Sequence, residues 1–311
     1  MSKILKCITL AVVMLLIVTA CGPNRSNKDN SKDKPNQLTM WVDGDKQMAF
    51  YKKITDQYTK KTGIKVKLVN IGQNDQLENI SLDAPAGKGP DIFFLAHDNT
   101  GSAYLQGLAA EIKLSKDELK GFNKQALKAM NYDNKQLALP AIVETTALFY
   151  NKKLVKNAPQ TLEEVEANAA KLTDSKKKQY GMLFDAKNFY FNYPFLFGND
   201  DYIFKKNGSE YDIHQLGLNS KHVVKNAERL QKWYDKGYLP KAATHDVMIG
   251  LFKEGKVGQF VTGPWNINEY QETFGKDLGV TTLPTDGGKP MKPFLGVRGW
   301  YLSEYSKHKY W

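Results

Sequence analysis

The stretch Gly87-Lys-Gly-Pro-Asp-Ile-Phe-Phe-Leu-Ala-His-Asp98 decides the fold class. Glycine and proline mark its start, and residues 91–95 form an apolar run of buried-strand length. Toward the N-terminus, Ile64, Val66 and Leu68 alternate as a strand. Phe50, Ile54 and Tyr58 recur every four residues in a lysine-rich segment, a surface helix that Gly63 ends. Leu38-Thr-Met-Trp-Val42 is a further β-type run. Toward the C-terminus, Ser115-Lys-Asp-Glu118 is a capping box, predicting a helix with Leu119, Phe122, Ala126 and Leu127 on one face. This β-α-β-α order specifies a parallel or mixed sheet covered by helices.

The rhythm resumes after Pro140. Residues 147–150 are strand-like, and Thr161-Leu-Glu-Glu164 is a second capping box. Residues 203–213, with Asn207-Gly208 in the middle, form a hairpin. Residues 219–237 predict a long helix with Val223, Ala227, Leu230 and Tyr234 on its packed side. Residues 257–261 and 279–283 are strands, the first running into Gly263-Pro264-Trp265. Residues 294–297 and 300–302 form a last strand, and Ser306 is placed to cap another helix. The chain stops on Tyr310-Trp311 with no helix breaker after them, so a C-terminal truncation is expected.

Composition narrows the function classes. The 311 residues are 41% hydrophobic and 12% aromatic, which excludes a mainly disordered chain and predicts one large or two medium domains. Lys3 and Lys6 precede residues 8–20, which carry no charge. That run is too short to span a bilayer and has the size of a signal-peptide core. It ends in Val18-Thr-Ala-Cys21, which resembles a bacterial lipoprotein signal. Residues 1–20 are then a signal peptide and Cys21 the lipidated first residue; a plain signal or an uncleaved anchor is the alternative. Residues 22–37 hold no large apolar side chain, so residues 21–37 form a solvated tether. The cysteines are Cys7 and Cys21, so the body has no disulfide and no cysteine metal site.

Catalytic signatures are missing from the sequence. None of His97, His214, His222, His245 and His308 sits in a zinc-type pair, and there is no nucleophile elbow, phosphate loop or dinucleotide fingerprint. Asp43 and Asp45 are spaced as in a calcium loop, but its later ligands are absent. The net charge of +11 falls to +7 on the body once leader and tether are set aside. Only three arginines occur, so a solvated lysine-rich surface is expected and no nucleic-acid partner.

Six motifs in order resemble the extracellular solute-binding proteins of ABC importers, and among them the maltose/maltodextrin-binding branch. They are Leu38-Thr-Met-Trp-Val-Asp-Gly-Asp-Lys46, Gly89-Pro-Asp-Ile-Phe-Phe-Leu-Ala-His-Asp98, Leu139-Pro-Ala-Ile-Val-Glu144, Leu148-Phe-Tyr-Asn-Lys152, Gly263-Pro-Trp265 and Lys292-Pro-Phe-Leu-Gly296. The resemblance implies an α/β, two-lobed periplasmic-binding-protein-like fold of type II. Residues 38–142 with 297–311 make an N-terminal lobe and 143–296 a C-terminal lobe, both incomplete. It implies binding of maltose or maltodextrin in an interlobe cleft, closure on the sugar, and delivery to an ABC permease. No catalysis and no cofactor are expected, and the protein is a monomer, lipid-anchored on the outer face of the membrane. A binder of another oligosaccharide or solute, or an anchored glycoside hydrolase, are the alternatives. By the resemblance, Asp45, Lys46 and Asp98 bind sugar hydroxyls from the first lobe, and Glu144 lies in the cleft. Tyr190 and Trp265 supply aromatic faces, and Glu78 lies at the rim. Where the family's best-known maltose binder carries a tryptophan, an arginine and a glutamate, this chain has Leu95, Asn99 and Asn188.

Overall fold

The structure is a computed structural model that describes residues 33–198, 201–208 and 210–311. The signal segment, Cys21 and the tether up to residue 32 lie outside the described residues. The order of elements is β1 (Gln37–Val42), α1 (Gly44–Thr62), β2 (Lys65–Asn70), α2 (Gln73–Asp83), β3 (Ile92–Ala96), α3 (Thr100–Leu105), α4 (Lys124–Ala129), β4 (Asn131–Tyr132), β5 (Lys135–Gln136) and β6 (Ala138–Glu144). Then come β7 (Ala147–Asn151), α5 (Leu162–Leu172), β8 (Tyr180–Leu183), α6 (Phe189–Leu196), β9 (Phe204–Asn207), β10 (Glu210–Leu216), α7 (Lys221–Asp235) and α8 (His245–Lys253). The chain closes with β11 (Val257–Thr262), α9 (Ile267–Phe274), β12 (Leu278–Thr281), β13 (Thr285–Asp286), β14 (Lys289–Pro290) and β15 (Gly296–Leu302). It forms two compact units: the residues up to Ile142 with Val297–Trp311, and Val143–Gly296.

The first unit is built on a five-stranded mixed sheet in the order β2-β1-β3-β15-β6. β1 runs parallel to β2 and β3, and β15 is antiparallel to β3. The apolar run of β3 is a core strand, with Phe93, Phe94 and Leu95 fully buried. Trp41, Ile80, Val297 and Tyr301 pack in the same core. α1 ends at Gly63 (φ +75°), whose N–H returns to the Thr59 carbonyl, a left-handed cap suited to glycine. Its Phe50 and Ile54 stand out in solvent, and the buried position is Thr55. The Thr55, Thr59 and Thr62 hydroxyls donate back to helix carbonyls, which satisfies them at a tightly packed face.

The capping box at Ser115 forms, with Ser115 N and Oγ both donating to the Glu118 carboxylate, but no helix follows. Residues 116–122 are turns, and Asn123 starts the separate short helix α4 by accepting from Gln125 and Ala126. Of the four side chains expected on one face, only Ala126 is buried, so the segment lacks the packing that would extend its first turn. Ser306 caps no helix either. Its hydroxyl donates to Asp91 Oδ1 at 2.6 Å, while Asp91 Oδ2 accepts from Thr39 N at 2.8 Å. Asp91 thereby ties the entrances of β1 and β3 to the segment that leaves β15.

The second unit holds a four-stranded sheet in the order β12-β7-β11-β8. β11 is parallel to β8 and antiparallel to β7, which is antiparallel to β12 as well. The second capping box works as expected: Thr161 Oγ1 accepts from Glu164 N, and α5 follows. The hairpin is β9–β10, with Gly208 at φ +63° in its turn. α7 buries Val223, Asn226, Leu230 and Trp233, whereas Ala227, expected on that side, is exposed. Asn226 takes the inner place because its amide donates to the Leu196 carbonyl at 2.9 Å. One core gathers Phe184, Phe195 and Trp233; another gathers Phe149, Phe252, Phe260 and Tyr270.

Candidate functional site

In the first unit the C-terminal ends of the parallel strands β1, β2 and β3 lie along one edge, joined there by the start of antiparallel β15. Open α/β sheets present ligand groups at such an edge. β1 delivers Asp43 to Lys46, β2 ends on Asn70, and β3 leads into the tight turn His97–Asn99. Gly44 turns at φ +80°, a left-handed conformation that suits glycine, and its N–H donates to Asn70 Oδ1 at 2.8 Å. Asn70 Nδ2 donates to Asp45 Oδ1 at 3.0 Å, so one amide holds both the turn and the carboxylate.

Behind this pair, Asp43 Oδ1 accepts from Gln73 N at 3.1 Å, and Arg298 Nη1 donates to Gln73 Oε1 at 3.0 Å. The same guanidinium nitrogen lies 3.6 Å from Asp43 Oδ2. Asp43 is therefore engaged by protein partners, and its calcium-like spacing with Asp45 serves this loop. Lys46 is exposed in the first turn of α1, where the helix dipole disfavours a cation. Asp98 is exposed, with Asn99 Nδ2 donating to it at 3.4 Å. Asp45, Lys46 and Asp98 thus share the strand-end edge. Glu78 lies exposed on α2, and no hydrogen bond or ion pair joins it to this cluster among the described residues. Leu95, where the resembled binder has a tryptophan, is fully buried and presents nothing to a ligand.

In the second unit one edge of the sheet collects the start of β7 and the ends of β8, β11 and β12. Glu144 precedes β7, Tyr190 follows β8 on α6, and Trp265 follows β11. Asn188, in place of the resembled glutamate, caps α6 by accepting from Tyr190 N at 3.0 Å. The Tyr190 hydroxyl and Glu144 converge over Gly296. A methyl placed there would lie 3.1 Å from the hydroxyl and 3.2 Å from Glu144 Cγ. Pro264 starts a single 3₁₀ turn that folds the Trp265 indole back over Gly263. The indole is 37% exposed, unusually open for a tryptophan, and it meets Phe191 edge to face at 6.1 Å. Tyr190 stacks near-parallel with Phe294, which stacks on Tyr193 at 4.0 Å between centroids, and Tyr193 on Phe197. The second unit thus carries an aromatic wall with one carboxylate beside it.

Asn70, Gln73 and Arg298 belong to no motif in the sequence. Asn70 alone had a local signal, a polar residue ending an alternating strand. Asn70→Ala frees the Asp45 carboxylate and the Gly44 turn together. The expected loss in ligand affinity is about 1 kcal/mol, roughly fivefold, with an unchanged circular-dichroism spectrum. Calorimetric titration beside the wild type checks it.

A family model described as bacterial extracellular solute-binding protein matches residues 53–310. The chain belongs to the bacterial extracellular solute-binding proteins. Among curated members, the galactooligosaccharide-binding protein of Bacillus subtilis is 33% identical, over 99% of this chain and 74% of its own length. The maltooligosaccharide ABC transporter solute-binding lipoprotein of Streptococcus pneumoniae is 30% identical, over 99% of this chain and 73% of its own. A crystal structure of a cyclo/maltodextrin-binding protein complexed with maltotetraose superposes with a TM-score of 0.79 at 38% identity, covering 90% of this chain and 73% of that one. These similar proteins are named as binding proteins, one of them as the solute-binding lipoprotein of an ABC transporter.

Proposed function

We propose that this extracellular solute-binding protein binds maltodextrins and hands them to an ABC transporter permease. The observation that carries the reading is the aromatic wall of Tyr190 and Trp265 beside Glu144, in a chain similar to a maltotetraose-binding structure. Sugar rings offer apolar C–H faces that stack on aromatic rings, and rims of hydroxyls that carboxylates pair, often two at a time. In this reading Asp45, Lys46 and Asp98 hydrogen-bond hydroxyls, Glu144 does so from the second unit, and Tyr190 and Trp265 stack. Glu78 contributes at the margin. Selectivity follows because an absent hydroxyl leaves a desolvated carboxylate without its partner. The protein works without cofactor and without catalysis, as a monomer, held to the outer membrane face by lipid on Cys21.

A galactooligosaccharide is the second reading, favoured by the Bacillus subtilis relative. A tryptophan-fluorescence panel of maltose, maltotriose, maltotetraose and β-galactooligosaccharides separates the two. Saturable quenching by the maltodextrins alone supports the first reading; saturation by the galactosides alone transfers the assignment to the second. Shortened products after incubation with maltodextrin would overturn the statement that it does not catalyse. Palmitate labelling that persists in Cys21→Ser would overturn the anchor.

A further inference from the structure

His245, the first residue of α8, has its two ring nitrogens buried and without a hydrogen-bond partner. A neutral imidazole always carries one N–H donor and one acceptor, so this arrangement wastes both. The ring acts as a flat aromatic plate. It stacks on Phe191 at 4.6 Å with an interplanar angle of 25°, and its other neighbour is Phe260 at 5.9 Å. Phe191 is in turn the ring against which Tyr190 sets its edge at 5.3 Å and Trp265 at 6.1 Å. Orphaned polar atoms in a core call for an explanation, and here they lie one ring behind the aromatic wall.

We propose that His245 is a positioning residue that makes the Tyr190–Phe191–Trp265 wall acid-sensitive, so that the protein loosens its hold on sugar as the pH falls. The inference rests on the sugar-stacking role given to Trp265. Protonation would place a charge and two N–H donors where no acceptor among the described residues bonds the ring. The groups that face the ring offer only partial relief. Asp185, in the segment after β8, and Asp246, on α8 itself, attract an imidazolium, but neither is hydrogen-bonded to the ring. β11 contributes no titratable side chain, and α6 only Tyr190 and Tyr193. The charged ring therefore has to swing out, and Phe191 loses the plate that holds it.

Burial lowers the affinity of His245 for a proton below the ordinary histidine value, with Asp185 and Asp246 opposing in part. The sign follows. The neutral form is the native one, so nothing is lost above the unfolded value near 6.5, and stability falls as the pH drops from there toward the lower folded value.

The test is maltotetraose affinity at about pH 7.5 and about pH 5 for the wild type and His245→Phe, which keeps the plate and removes the titration. The expected result is an approximately tenfold loss for the wild type on acidification, and less than about twofold for the variant. A flat wild-type profile, or an equally steep fall in His245→Phe, overturns the proposal while leaving sugar binding intact. Should the variant not fold, or should no sugar bind, imidazole NMR of the unliganded wild type decides. The His245 midpoint must lie below the ordinary histidine value, and a change in Trp265 emission, absent in Trp265→Phe, must follow it. Titration of the two signals at different pH overturns it.

Discussion

Gly263→Ala weakens maltodextrin binding by about 1–3 kcal/mol, roughly 5- to 150-fold, while the folded protein stays intact. A methyl group on Gly263 would lie 1.8 Å from Trp265 Cζ3 and 2.1 Å from Cη2, inside the indole itself. The backbone gives no reason for glycine, since its φ of −108° suits alanine equally well. What the methyl displaces is the far end of a partly exposed side chain, which swings into solvent at little cost to folding. The stacking face is lost, and with it the apolar area it covers on a sugar ring. Trp265→Ala loses the same energy, so Gly263→Ala on that background adds nothing further. Calorimetric titration of the two single variants and the double variant checks this. Full affinity in Gly263→Ala removes Trp265 from the site.

Trp233→Ala destabilises the protein by about 3–5 kcal/mol. The side chain is fully buried on the inner face of α7 and meets Phe184 and Phe195 edge-on at 6.3 and 6.0 Å. Its indole nitrogen has no hydrogen-bond partner, so no hydrogen bond is lost and the cost is packing, cavity and the face-on contact with Arg229. Arg229, over the ring at 5.9 Å, is held by its two contacts to Asp286 and cannot move in to fill the space. Against a typical stability of about 5–15 kcal/mol such a loss is large. The urea midpoint should fall with an unchanged slope. A shift under about 1 kcal/mol would mean that the second core collapses freely around the gap.

Much of the fold was legible because it rests on local patterns. The uniform run of β3, the left-handed cap at Gly63, the Thr161 box and the Asn207-Gly208 turn each act within a few residues. The failures share a cause. The Ser115 box forms its hydrogen bonds, yet a cap cannot sustain a helix whose next turns bury almost nothing. Ala227 looked more apolar than Asn226, but the Leu196 carbonyl, 30 residues away, decided which one went inside. The candidate site divides along the same line. Asp45, Asp98 and Trp265 are what the resemblance implies, and each lies two or three residues past the end of a strand. The hydrogen bonds of Asn70 and Arg298 reach partners 25 and 225 residues away, which no local pattern shows. His245 sat on a helix start with no motif, and only its ring neighbours make it conspicuous.

The central claim is that this protein binds maltodextrin, with Asp45 and Trp265 among the groups that hold it. Isothermal titration of the protein with maltotetraose tests it most directly. Saturable one-to-one binding with a Kd of about micromolar or tighter, weakened by Trp265→Ala and by Asp45→Asn alike, is the expected result. No heat of binding up to about millimolar sugar, or saturable binding that neither substitution changes, would contradict it.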